Sequence, residues 1–302
     1  MAEGAAAAKM PAAAVQDGGE RGGAGMTERF QHGEVEGLRV GCFPLRYNTT
    51  CILYRLGSTV IDTGPPNQWR RVRTFLAERA VRQVVVTHYH EDHGGNLAPI
   101  RRAFAAPVYA PRLGLAELAS GFSQRPYQRL FWGRPEPVEA RELPQEVPLD
   151  GGGALEAIPA AGHSADMTCL LERGRGWLFT GDLYIAAKTR LLRQDEDLGA
   201  EIASLRRLIG YDFDTVFCAH RGVIGSGKAA LRRKLDFLES LRQQVADLHR
   251  QGRSREEITR QLLGREGPMT VLTGYHFSKR NLIDACLQAL PGATGRPAEL
   301  DQ

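Results

Sequence analysis

The sequence has little that would take it to a membrane, an oxidising compartment or a nucleic acid. No stretch of its 302 residues approaches the roughly 20 consecutive apolar side chains that a bilayer-spanning helix needs. The alanine-rich start, residues 1–25, is interrupted by Glu3, Lys9 and Asp17, and neither a signal peptide nor a membrane anchor is read there. The five cysteines, Cys42, Cys51, Cys169, Cys218 and Cys286, are odd in number, far apart and free of any Cys-x-x-Cys pair. That excludes a disulfide scaffold and a cysteine-built zinc module. Thiols set in apolar stretches fit a reducing compartment, so a cytoplasmic location is expected. A block of like charge is missing too. The net charge of +4 comes from arginines interleaved with Asp and Glu, which gives weak support for a nucleic-acid partner.

What is present is an ordinary globular balance, 42% hydrophobic and 25% charged, enough to bury one large core or two smaller ones. Residues 1–27 are Ala, Gly and charge, unable to offset the entropy of ordering, and are expected to be disordered. Short apolar runs at 38–43, 51–56 and 59–61 read as strands, 66–80 as a helix, and the β-branched run 81–86 as a buried strand. A helix at 97–104 and a strand at 107–110 follow, then a Pro- and aromatic-rich insertion, 111–148. Strand-like runs return at 155–159, 168–172, 177–180 and 215–218, so the expected class is α+β over a domain at 28–225. From 226 to 302 the pattern is helical. Leu231, Leu235, Leu238, Leu241 and Val245 share one face, Ser254 stands as an N-cap, and the stretch reads as an appended helical module.

The informative segment is Thr87-His88-Tyr89-His90-Glu91-Asp92-His93-Gly94-Gly95. It places three imidazoles and a carboxylate within six residues, after a buried strand and before a glycine-marked turn. A single histidine in a loop is ordinarily a solvated one, but this density is costly unless something binds. Imidazole and carboxylate are the ligand types that suit zinc and similar divalent ions. Five of the eight histidines fall in this cluster or in two motifs downstream, while His32 and His249 read as surface residues.

The pattern H-x-H-x-D-H after an apolar strand resembles the signature of the metallo-β-lactamase superfamily, and matches it without a substitution. Ala161-Gly162-His163-Ser164, Thr180-Gly181-Asp182 and Cys218-Ala219-His220 resemble its later motifs, and Val60-Ile61-Asp62-Thr63-Gly64 its early aspartate motif. The resemblance covers about residues 38 to 225 and rests on five motifs in order. It implies an αββα sandwich of two mixed sheets flanked by helices, here with a C-terminal helical extension. It also implies that His88, His90 and His163 hold one metal, Asp92, His93 and His220 another, and Asp182 bridges them. Zinc is the default for both divalent ions, with iron and manganese as alternatives. Asp62 is expected behind a ligand imidazole, orienting it through its other nitrogen, with a strand-capping role as the competing reading.

The resemblance further implies hydrolysis. Two cations sharing Asp182 would hold a bridging water whose pKa falls to about 7, giving hydroxide without a serine or cysteine nucleophile. By family analogy Asp92 is the catalytic residue that orients it and later protonates the leaving group. Asp182 argues against the antibiotic-degrading branch, and His90 against the diiron flavoprotein branch. A small-molecule thioester or lactone is the expected substrate, as in the hydroxyacylglutathione hydrolases that the chain resembles. Tyr127 and Trp132, among Arg125, Arg129 and Arg134, would suit an apolar acyl group with an anionic tail, although the same aromatics would also pin a long loop. His276, in the polar and aromatic stretch 273–278, is a further substrate contact if the tail folds back, and part of a turn capped by Ser278 if it does not. Two other readings stand beside this one. A nucleic-acid phosphodiesterase would use the C-terminal cations, against which Asp236, Glu239 and Asp247 are interleaved. A non-catalytic binding module would use the helical tail. No membrane partner is expected, and a homodimer is left open.

Overall fold

Residue alternation along the strands decides the architecture. In a strand, neighbours point to opposite faces, and here both faces are apolar, which demands cover on each side. The computed structural model describes residues 26–42 and 49–290. Its first sheet has seven strands in chain order: β1 (Met26–His32), β2 (Val35–Gly41), β3 (Thr50–Leu56), β4 (Thr59–Ile61), β5 (Gln83–Val85), β6 (Val108–Ala110) and β7 (Arg141–Glu142). It is antiparallel from β1 to β4 and parallel from β4 to β7. The second sheet is built from β8 (Glu146–Pro148), β9 (Ala154–Pro159), β10 (Thr168–Glu172), β11 (Trp177–Gly181), β13 (Thr215–Cys218) and β14 (Gly222–Ile224). Only β11 and β13 pair in parallel there. A two-stranded ribbon joins β12 (Leu192–Arg193) to β15 (Phe277–Ser278).

Ile52, Tyr54, Ile61 and Val85 of the first sheet meet Leu170, Phe179 and Phe217 of the second in the layer between them. Their neighbours point outward. Leu53, Val60 and Val84 pack under α1 (Trp69–Leu76) and α2 (Leu97–Phe104), whose Val72, Phe75, Leu97 and Ile100 are buried. On the far side Leu171, Leu178 and Val216 pack under α5 (Leu198–Ile209), α6 (Gly227–Arg250) and α9 (Lys279–Gln288). The four layers are the αββα sandwich of two mixed sheets. The insertion holds α3 (Leu115–Ser120) and α4 (Pro126–Trp132), and its C-terminal part adds β7 and β8 to the edges of the two sheets. Ser254 caps α7 (Arg255–Leu263) in a capping box with Glu257, and α8 (Pro268–Leu272) precedes the ribbon.

Two differences from the sequence reading are local. The expected disorder at 1–27 lies outside the described residues except at Met26 and Thr27, which open β1. A seven-pair ladder to β2 satisfies their backbone there, whatever the composition before them. His32, read as a surface residue, is half-buried with its ring edge-on to Trp177 and Phe217, whereas His249 is exposed. The end of the run 38–43 falls beyond the described part of β2. Among the described residues no helix is long and apolar enough to cross a membrane.

The leucines of α6 share one apolar cluster with the second sheet. Leu238, fully buried, tests that continuity: Leu238→Ala is expected to cost about 2–5 kcal/mol and to lower a single cooperative denaturant transition. A separate early transition, with the remaining transition unmoved, would show that the helices melt as an independent unit.

Candidate metal centre

β4 and β5 run parallel, as do β11 and β13, and β9 runs with β11 because both are antiparallel to β10. The segments leaving these five strands carry Asp62, the 88–93 cluster, His163, Asp182 and His220 in turn. The structure brings all of them to one rim. Ligand atoms of His88, His90 and His163 lie within 4.8 Å of one another, and those of Asp92, His93, Asp182 and His220 do the same. Asp182 reaches both groups, with Oδ2 3.3 Å from His163 Nε2 and Oδ1 3.2 Å from His93 Nε2 and 3.0 Å from His220 Nε2.

Close approach of the strand ends needs a glycine. A Cβ on Gly181, at φ +48°, would meet Thr87 Oγ1 at 2.6 Å and Met167 Cε at 2.5 Å. Asp62 is the opposite case: a non-glycine residue at φ 58°, in the left-handed region that costs about 1–2 kcal/mol. In return, its Oδ1 accepts from the Thr87 backbone N–H at 2.8 Å and its Oδ2 from His93 Nδ1 at 2.8 Å. It caps the end of the β5 run and holds an imidazole with one carboxylate.

The hydrogen bonds fix the tautomers. Thr87 Oγ1 lies 3.0 and 3.1 Å from the two Asp62 oxygens and donates to that carboxylate, so it accepts from His88 Nδ1 at 3.0 Å. His93 Nδ1 donates to Asp62, and His220 Nδ1 donates to the Thr50 carbonyl at 2.6 Å. In the neutral form all three turn an Nε2 lone pair inward. His163 is steadied by Glu196, whose Oε1 is 3.3 Å from Nδ1, and its Nε2 faces His90 Nδ1 at 3.0 Å. His88 Nε2, His93 Nε2 and Asp182 Oδ1 are buried without a hydrogen-bond partner, a costly state that a cation relieves. The donor set fits divalent metal.

Electrostatics favour the ligating forms of His88, His90 and Asp182 and the protonated forms of His93, His163 and His220. Burial, with His93 and His163 adding to it, pushes the His88 imidazole well below its usual pKa, and burial with Arg193 does so for His90. Burial raises the Asp182 carboxyl, but His220, His93 and His163 outweigh it and hold the group well below the carboxylate range. Burial works against the proton on His163 and on His220. Glu196 and Asp182 outweigh it at the first, and Asp182 at the second, so both pKa values are raised. Asp92 is buried at the mouth of the second group, its Oδ2 3.7 Å from His220 Nε2.

The remaining expected residues separate. Tyr127 Oη lies 2.6 Å from Nδ1 of His276, which is buried and whose Nε2 is 3.5 Å from Asp195. Ser278 also caps α9, so the tail both folds back and turns. Trp132 is half-buried at the end of α4 and takes no part in this network among the described residues. Arg125, Arg129 and Arg134 are exposed; the guanidinium at the site is that of Arg193, because β12 carries it inward. Spacing gave no signal for Arg193 or Glu196, since neither belongs to a motif. Behind the site, the buried Lys234 donates to the Leu183 carbonyl and pairs with Glu201, tying the Asp182 turn to α6 and α5.

A family model described as Metallo-beta-lactamase superfamily matches residues 44–220. The chain is 25% identical over 228 residues to the atrochrysone carboxyl ACP thioesterase of Pseudocercospora fijiensis, covering 74% of this chain and 62% of that protein. It is 30% identical over 196 residues to the thioesterase of that name, AgnL7, of Paecilomyces divaricatus, covering 63% and 55%. The chain thus spans about three fifths of the length of these relatives. Among solved structures, a Beta-lactamase domain protein from Burkholderia ambifaria superposes with a TM-score of 0.66 at 16% identity, over 86% of this chain and 87% of that one.

Protons on His163 and His220 compete with metal for the same Nε2 atoms. Metal uptake at neutral pH is therefore expected to release protons, and apparent affinity to fall as pH falls. Calorimetric titration in buffers of different ionisation enthalpy measures this; an enthalpy independent of buffer would refute it.

Proposed function

The chain belongs to the metallo-β-lactamase superfamily, and on that premise we propose that it is a two-metal hydrolase of acyl thioesters. The observation that carries the reading is the pair of adjacent buried ligand groups sharing Asp182, with three buried ligand atoms that make no hydrogen bond. His88, His90 and His163 would hold one ion, Asp92, His93 and His220 the other, and Asp182 both. Asp62 orients His93 directly and His88 through Thr87. Zinc is proposed, with iron and manganese accepted by the same donors.

When bound, the metal pair supplies Lewis acidity toward the scissile carbonyl and lowers the pKa of water to about 7. Asp92 takes up the proton of the attacking water and returns it to the departing sulfur, so the thioester C–S bond is replaced by a C–O bond and a free thiol leaves. The names of the two relatives support a thioester over a lactone, and the kinship to hydroxyacylglutathione hydrolases belongs to the same proposal. The free thiols of all five cysteines support a cytoplasmic setting.

The phosphodiesterase reading draws less support. Arg206 pairs with Glu239, Arg250 with Asp247, Arg255 with Asp284 and Arg280 with Glu256, so acids neutralise cations across the helices that would have to track phosphates. We take residues 28–225, with 111–148 inserted, as the part that carries the chemistry, and 226–302 as a helical module appended to it.

Thiol release from an acyl-glutathione thioester by the zinc-loaded protein tests the activity. Asp92→Ala and His163→Ala are expected to lose metal and to drop kcat/KM by at least about 100-fold. Full turnover by either variant in folded form would overturn the assignment, and no release by the parent protein would point to lactones.

A further inference from the structure

Arg193 is a buried cation set against groups that are themselves built to hold cations. Its side chain is 9% exposed, and Nη1 lies 3.0 Å from Nε2 and 3.3 Å from Nδ1 of His90. The ribbon fixes its backbone, with Arg193 opposite Phe277 and the Gln194 N–H donating to the His276 carbonyl at 3.0 Å. Asp195 takes Nε and Nη2 in a two-point pair and stands 3.5 Å from His276, which meets Tyr127. Three separate segments therefore hold one guanidinium in place.

A structural clamp would need only the Asp195 side of that fork. Asp195 is half exposed and already satisfied by it, whereas Nη1 points away to an imidazole, which brings no negative charge. Glu91, the buried carboxylate nearby, is engaged by Gln128 at 2.9 Å, and Glu196 by His163. Asp195, Glu196 and Glu91 stabilise the buried cation against its burial, yet among the described residues Nη1 has no carboxylate in hydrogen-bond reach, and its N–H donors, the free edge of the group, are open to an anion. The planar N–H donors of arginine suit a carboxylate, and the edge lies within one ring of the ligand atoms, so the anion and the reacting carbonyl belong to one short molecule.

We propose that Arg193, positioned by Asp195, His276 and Tyr127, determines specificity by receiving a carboxylate on the acyl group, so that the substrates are thioesters of short dicarboxylic acids. This rests on the thioester reading above and adds to it the charge and length of the acyl part. Arg193 touches substrate, while Asp195, His276 and Tyr127 act through it.

The test compares S-succinyl- with S-butyryl-N-acetylcysteamine, similar in length and different in the terminal carboxylate, as substrates of the metal-loaded full chain. The parent protein is expected to favour succinyl by at least about tenfold in kcat/KM, the worth of a charge-assisted hydrogen bond. Arg193→Met is expected to bring that ratio to about one through a higher KM for the succinyl compound, and Arg193→Lys, which keeps charge without the fork, to give an intermediate ratio. No preference in the parent, or equal losses on both substrates in the variants, would overturn the proposal. If Arg193→Met does not fold, the Lys variant decides by the same ratio. Binding of succinate against butyrate, followed by calorimetry, separates this inference from the thioester reading. A succinate preference lost in the variant, with neither thioester cleaved, upholds the carboxylate site and sinks the thioester; no preference for succinate sinks the site itself.

Discussion

Burying five imidazoles and two carboxylates at one rim of a sandwich is the constraint from which the rest of the structure follows. Each charged group taken from water costs several kcal/mol unless it is paired and hydrogen-bonded. The chain meets that demand from behind. Asp62 and Thr87 hold His93 and His88, the Thr50 carbonyl holds His220, and Glu196 holds His163, so every outer nitrogen of these four rings is engaged. The inner faces are what remains unsatisfied, and a pair of divalent cations is the occupant whose charge and coordination match them.

The same demand explains several features that would otherwise look like defects. Asp62 keeps a left-handed backbone because only from there do its oxygens meet both Thr87 and His93. Gly181 has no side chain because Thr87 occupies the place where a Cβ would go. Lys234 and Glu201, a buried ion pair remote from the ligands, brace the turn that carries Asp182. Strain and buried charge here are consequences of holding ligands still, and the sandwich layers above and below supply the apolar burial that makes them tolerable.

Much of this was legible in the sequence because it is encoded locally. The apolar run 51–56 and the continuous β-branched run 81–86 placed the strands, Ser254 announced α7, and the ligands sit in short motifs at strand ends where few residues separate them. What was not legible depends on long-range pairing. Arg193 reaches the site because a two-residue ribbon joins it to Phe277, 84 positions later, and no periodicity spans such a gap. The insertion's own arginines, adjacent in sequence to its aromatics, looked better placed and are exposed. His32 reads as polar yet sits edge-on to two aromatic rings, a contact made only once the sheets face each other.

The ribbon of β12 and β15 has a consequence for how such a molecule can change. It stitches the stretch that packs against His90 to residues 277 and 278, while the ligands themselves hang on the strands of the sandwich. Arg193 and the ligand motifs are thereby lodged in different stretches of polypeptide that meet at His90. A change in α8, the ribbon or the N-terminal turn of α9 would therefore reach the ligands through the contact of Arg193 with His90. A truncation before residue 277 would take away both the strand that holds Arg193 and α9, whose Leu282, Ile283 and Cys286 lie in one apolar cluster with the second sheet, so this stretch secures the core as well as the wall of the site.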